Sequence, residues 1–268
     1  MSTISRLFYL IAFALACFSG AAQAAFDHTH GQWDTLAKKH VQWLPGGHAS
    51  QADYRGFQAD RASLQTYLAT LSAVRRAEYD AWNQQQKLAF LINAYNAFTV
   101  ELILTEYPNL KSIRELGSLF KSPWKQRFFS LLGEKRHLDD VEHGLIRAPS
   151  VFDDPRIHMA VNCASIGCPA LRNEAFVAER LDAQLEDGVV RFLSDRSRNR
   201  ADASGLRISS IFDWYGEDFE KKAGSVAKWL AKYAELLSDD DKLRQALKQA
   251  QLPARFLDYD WALNDLNR

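Results

Sequence analysis

Between Leu88 and Val100 the chain reads Leu-Ala-Phe-Leu-Ile-Asn-Ala-Tyr-Asn-Ala-Phe-Thr-Val, apolar on every side of a helix and interrupted by two asparagines. A helix without a polar face has to be enclosed on all sides. The pattern predicts one long helix from Ala81 to Tyr107, ended by Pro108, whose ring bars continuation. Asn93 and Asn96 are three apart and share a face of it. A buried amide without a partner costs about 1–3 kcal/mol. The two side chains therefore either satisfy the backbone of a neighbouring loop or line a site.

The rest of the chain supplies the enclosing layers. Helical spacing recurs over Trp33 to Val41 and over Ala62 to Val74, with Leu64, Tyr67, Leu68 and Leu71 on one stripe. Phe128 to Leu138 reads as a hairpin turning at Gly133-Glu134. Asp139-Asp-Val-Glu142 starts a short helix that runs to Arg147. Ile157 to Asn162 alternates and predicts a central strand. Asn173 caps a helix with the stripe Phe176, Val177, Leu181, Leu185, Val189 and Phe192. A polar loop, Ser194 to Gly205, precedes a strand over Leu206 to Phe212. Helices over Ser225 to Leu237 and Asp240 to Ala250 follow, and a strand over Phe256 to Trp261 closes the chain. Scattered strands among many helices define a single helix-rich α+β domain over 52–268, with a small mixed or antiparallel sheet. The 268 residues are 47% hydrophobic, enough for one sizeable core.

The amino terminus reads as a secretory signal over 1–24. Arg6 precedes an apolar run from Leu7 to Phe18, which is too short to span a bilayer comfortably, and Ala22-Gln23-Ala24 is a cleavage site. The expectation is a periplasmic or secreted product, with no transmembrane segment in the mature chain. Ala14-Leu-Ala-Cys17 is a weaker, lipobox-like alternative that would anchor the protein at Cys17. Residues 25–51 then form an N-terminal arm and the first helix. That stretch holds four of the seven histidines, and Asp27, His28 and His30 are read as part of a solvated arm rather than a metal site. Lys+Arg and Asp+Glu both number 33. This balance gives no reason to expect a nucleic-acid partner.

After cleavage only Cys163 and Cys168 remain, in Cys-Ala-Ser-Ile-Gly-Cys-Pro. In an oxidising compartment they are a disulfide candidate, although so short a loop gains little stability from the crosslink. Cys163 closes the expected strand and is followed by small residues, the setting of a nucleophile. His143, on the short helix, is the candidate base, and Asp213, beside Trp214 and Tyr215, is the candidate group to orient it. Strand parity puts His158 on the opposite side from Cys163, so it is read as structural. Backbone donors around Ala164 and Ser165, with Asn93 or Asn96, would form an oxyanion or substrate-binding pocket. A redox pair is a further possibility, although the spacing is Cys-x4-Cys rather than Cys-x-x-Cys. A zinc site would lack a second ligand pair. The reading calls for no metal and no cofactor.

Four segments together resemble the domain-of-unknown-function family 547. They are Leu88 to Ala97, Leu138 to Arg147, His158 to Pro169 and Phe212-Asp-Trp-Tyr215, spread over about 84–261. One departure is Leu91, where the family more often has Trp. The resemblance implies an exported bacterial-type member and brings no settled activity. Two readings stay open. One is a thiol-dependent hydrolase or acyltransferase built on Cys163, His143 and Asp213. The other is a non-catalytic periplasmic binding or scaffold module with a Cys163–Cys168 disulfide. Substrate and protein partner are unknown on either.

Overall fold

A computed structural model describes residues 25–118 and 121–268. The signal segment and Cys17 lie outside the described residues. Helix α1 (Gly31–His40) leads into an antiparallel ribbon, β1 (Val41–Trp43) with β2 (Ser50–Ala52). Helices α2 (Tyr54–Ala59), α3 (Arg61–Ala73) and α4 (Arg76–Asp80) precede the long α5 (Gln84–Leu104). Asn83 and Gln86 form a reciprocal capping box at the start of α5. Every residue from Leu88 to Val100 is buried. Helices α2 and α3, the Asp140–Ile146 turn and the Ala178–Arg180 turn pack around it. Among the described residues α5 is the one helix long and apolar enough to cross a membrane, and it is the enclosed core of this fold.

A second ribbon pairs β3 (Phe129–Leu131) with β4 (Glu134–Arg136), as the hairpin pattern predicts. Helix α6 (Leu181–Ser194) joins two apolar clusters. Leu181 and Leu185 face the α5 core, while Val189, Phe192 and Leu193 face a second cluster around Phe212, Phe219 and Trp229. The carboxy-terminal part supplies the mixed sheet. In it β6 (Gly205–Ser209) lies antiparallel to β5 (Arg200–Asp202) and parallel to β7 (Ala254–Leu257). Between β6 and β7 run α7 (Ile211–Trp214), α8 (Gly216–Ala223), α9 (Val226–Leu230), α10 (Ala234–Leu237) and α11 (Asp241–Lys248). The fold is a single-domain α+β arrangement rich in helix.

Three expectations are corrected. Residues 25–51 are not a solvated arm. Phe26 packs on Trp82 and Phe90, Trp33 stacks between Phe57 and Tyr67, and His30 is buried. The cap at Asn173 is also absent: its Oδ1 accepts from Trp43 Nε1 at 2.9 Å, and α6 begins eight residues later.

The third correction concerns Ile157 to Asn162, which is central but not a strand. Pro155–Met159 is a 3-10 turn whose first free amide is capped by Asp154. Ile157, His158, Met159, Ala160 and Val161 are all buried, so alternation there does not sort residues into an inner and an outer face. Asn96 explains how the segment does without a neighbouring strand. Its Nδ2 donates to Ala160 O at 2.9 Å and its Oδ1 accepts from Asn162 N at 2.8 Å. Asn93 does the same for both backbone groups of Phe176, at 2.7 and 3.0 Å. Two side-chain amides on α5 thus replace the ladder bonds a sheet would supply. Gly188 on α6 lets the segment come close, since a Cβ there would meet Met159 O at 2.9 Å.

Candidate functional site

The clamp at Asn96 fixes the entrance to the cysteine loop, and Asn162 shapes the loop itself. Asn162 Oδ1 accepts from Ala164 N at 2.9 Å, and its Nδ2 donates to Pro169 O at 2.8 Å across the loop. Ala164 is held at φ 62°, a left-handed conformation that costs a non-glycine residue energy and persists only under outside restraint. The restraint comes from the carboxy-terminal segment. Ile166 N bonds Ala262 O, Gly167 N bonds Asp260 O, and Asn264 N bonds Ala164 O. At Gly167 a Cβ would fall 2.9 Å from the Tyr259 ring, so a side chain there would displace that ring. Arg198, itself mostly buried, donates to Cys168 O at 2.5 Å and to His48 O at 3.2 Å.

Cys163 and Cys168 form a disulfide, with their Cα atoms 6.3 Å apart. Cys163 is half-buried and Cys168 is buried. Two donors converge on the buried sulfur: Cys163 N–H at 2.9 Å and the Tyr259 hydroxyl at 3.1 Å. The same hydroxyl lies 3.1 Å from Cys163 Sγ. Burial pushes the Tyr259 phenol up, with Arg198 opposing, so the group stays a donor near neutral pH.

The disulfide forms part of the wall of a cavity of about 200 Å³. Another part of the wall comes from the Asp140–Ile146 turn. This turn is a π-helix, closed by bonds such as Arg147 N to Glu142 O at 2.8 Å. The wider spacing brings both His143 and Glu142 to the cavity wall, an arrangement that α-helical geometry argues against. Glu142 is buried and accepts from the Tyr215 hydroxyl at 2.6 Å. Burial and then the Glu142 charge push the Tyr215 phenol up. His158 also lines the cavity and stacks on Tyr215 at 4.0 Å. Its Nε2 meets Asp218 Oδ2 at 2.7 Å, while its buried Nδ1 has no hydrogen-bond partner among the described residues. Burial pushes the His158 imidazole down, against the pull of Asp218. Burial also works against the Asp218 charge, but bonds from His158 and from Arg147 (2.6 Å) hold that carboxyl well below the usual range. Trp124, Trp214, Trp261 and Tyr95 complete an aromatic enclosure.

The sequence-derived candidates separate into two groups. Cys163, Cys168 and His143 come together at this cavity. His143 is exposed there, and its Nδ1 lies 2.7 Å from Arg147 Nη1. Asp213 does not join them. It is exposed on α7, makes no side-chain bond among the described residues, and does not line the cavity. The carboxylate that reaches an imidazole is Asp218, and the imidazole is that of His158. The parity argument against His158 fails because the segment is not a strand. Asn93 and Asn96 do not line the cavity either, since their amides are committed to loop backbone. Ala164 and Ser165 are buried, and the amides of Ala164, Ile166 and Gly167 are already bonded, which leaves no oxyanion pocket at those three positions. Sequence reasoning missed Glu142, Tyr215 and Tyr259. For Tyr259 a signal existed: the alternation that turns Asp258 and Asp260 outward turns Tyr259 and Trp261 inward. Among the described residues no three His, Cys, Asp or Glu side chains cluster in a metal-binding arrangement.

Residues 79–193 match the family model described as "Protein of unknown function, DUF547". Over that span the chain is similar to the family, and the span carries α5, the π-helical turn and the cysteine loop. Asp218, Tyr215 and Tyr259 lie beyond it. No curated protein and no solved structure matches the chain.

Proposed function

We propose that the Cys163–Cys168 disulfide exchanges with thiols that enter the cavity, and that the protein does this after export to an oxidising compartment. The observation that carries the reading is the asymmetry of the two sulfurs. Cys163 is the more accessible, and Cys168 alone receives the Cys163 N–H, while the Tyr259 hydroxyl, 3.1 Å from both sulfurs, can donate to the departing thiolate. An incoming thiolate attacks Cys163 Sγ, the S–S bond breaks, and Cys168 leaves as a thiolate. A second thiolate attacks the sulfur of the first substrate and releases Cys163. The net change is one protein disulfide and two thiols converted to a protein dithiol and one substrate disulfide. Support for export is the Leu7 to Phe18 apolar run followed by Ala22-Gln23-Ala24.

The acyl-transfer reading has a specific support of its own, the His158–Asp218 pair in the same cavity. It requires a reduced Cys163 and an oxyanion donor outside the loop, and for that reason exchange is the better fit. The two are separated by trapping the native protein with a monothiol, then alkylating and mapping it by mass spectrometry. Exchange predicts a mixed disulfide on Cys163 and a free thiol on Cys168. Tyr259→Phe should slow formation of the adduct about tenfold, since a hydrogen bond to a charged group contributes about 1.5–3 kcal/mol. A disulfide that millimolar thiol opens only in denaturant would make the bridge a static staple and leave the scaffold reading.

A further inference from the structure

The cavity around the disulfide has an unusual charge balance. Six aromatic side chains line it: Tyr95, Trp124, Trp214, Tyr215, Tyr259 and Trp261. Two carboxylates line it as well, Asp139 and Glu142, while among the described residues no lysine or arginine does. Asp139 is partly compensated by Lys125, 3.7 Å away. Glu142 is different. It is 4% exposed, and among the described residues it makes no ion pair. Its hydrogen bonds come from two neutral phenols, Tyr215 and Tyr95. Arg147 acts on it through space but is bonded to Asp218 and lies over the Tyr215 ring. A buried carboxylate without a cation is costly, and a ligand cation would remove that cost. The faces of tryptophan and tyrosine attract the same kind of group. The volume of about 200 Å³ is below the ~300–1,000 Å³ usual for drug-sized ligands, so the occupant is small.

Building on the exchange reading, we propose that the thiol partner of this disulfide is a small amine-bearing thiol, its ammonium group drawn to Glu142 within the aromatic enclosure while its sulfur attacks Cys163. The bonds made and broken are those of the exchange above. The ammonium group takes no part in them and acts only on binding. Anionic thiols meet two like charges in the same space, and neutral thiols gain neither the ion pair nor the cation–π contact.

The test uses three monothiols on the full chain: cysteamine, 2-mercaptoethanol and 3-mercaptopropionate. Rates of disulfide opening are divided by the thiolate concentration of each, which removes differences in acidity. The expected order is cationic, neutral, anionic, with about tenfold between the first two and a narrowing of the spread at high salt. Glu142→Gln should bring the three rates together. Because that variant alters a buried group and its folding is at risk, a second measurement uses the unaltered protein. Ethanolamine, which has the charge without the thiol, should slow opening by 2-mercaptoethanol, and acetate should not. Equal normalised rates for the three thiols, with no protection by ethanolamine, would overturn the charge preference and leave exchange standing. If none of the three opens the disulfide in the native state, both readings fall.

Discussion

Asn96→Leu is expected to lower the unfolding free energy by about 3 kcal/mol, measured as a shift of the urea midpoint. The substitution keeps shape and volume nearly constant, so no large cavity opens. What it removes is the pair of bonds to Ala160 O and Asn162 N. Both groups lie in a segment enclosed by α5 and α6, where water does not replace the lost partner. An unpaired buried polar group costs about 1–3 kcal/mol, and two are left here. The consequence should extend to the disulfide. Asn162 sets the cysteine loop through Ala164 N and Pro169 O, so freeing its backbone also frees the loop. The native disulfide of the variant should react faster with thiols and lose the difference between Cys163 and Cys168. A change under ~1 kcal/mol would mean that the backbone at 160–162 finds other partners, and the amide clamp would lose its place in the account of the fold.

The elements whose evidence is local were legible. The α5 stretch announced its own burial, and the 129–136 hairpin announced its turn. The segment at 157–162 misled because alternation reports two unlike faces, and here both are buried. Its backbone partner is one side chain, Asn96, 64 residues from Ala160 and 66 from Asn162, which no local pattern displays. The cavity behaved likewise. Cys163, Cys168 and His143 were found by residue type. On α-helical spacing Glu142 faces away from His143, and the π-helical bonds of that turn undo the spacing. Asp218 is 60 residues from His158, and nothing in its local sequence points to an imidazole partner. Asp213, five residues earlier, drew attention by its aromatic neighbours. Yet the burial of Ile211 and Phe212 turns that short helix so that Asp213 faces solvent. What the sequence cannot display is which distant polar group meets which, and a site assembled from six separate segments consists of such meetings.

Acidification should destabilise the fold before its carboxylates titrate, and His30 is the main cause. Its ring is buried, and Nδ1 lies 2.7 Å from the Tyr67 hydroxyl, while Nε2 has no hydrogen-bond partner among the described residues. Burial, and then the neighbouring His28, push the imidazole down to about 3, against the weaker pull of Asp27. In the unfolded chain the same group titrates near 6.5. Above pH 6.5 it is neutral in both states and contributes no pH dependence. Below that, the unfolded state takes up a proton that the folded state refuses, so stability falls with pH until the folded group titrates as well. At about 1.36 kcal/mol per unit, the loss is roughly 2 kcal/mol at pH 5 and grows toward pH 3. His158, also pushed down by burial, acts in the same direction. The isolating measurement is the difference between pH 7.5 and pH 5 in the unfolding free energy, compared for the native chain and for His30→Gln. Glutamine keeps an acceptor for Tyr67 and does not titrate, so the variant should lose about 2 kcal/mol less over that interval. Parallel losses in the two proteins would show that His30 takes up its proton without unfolding. The packing of residues 25–51 against α3 and α5 would then have to open to water well below the energy of global unfolding.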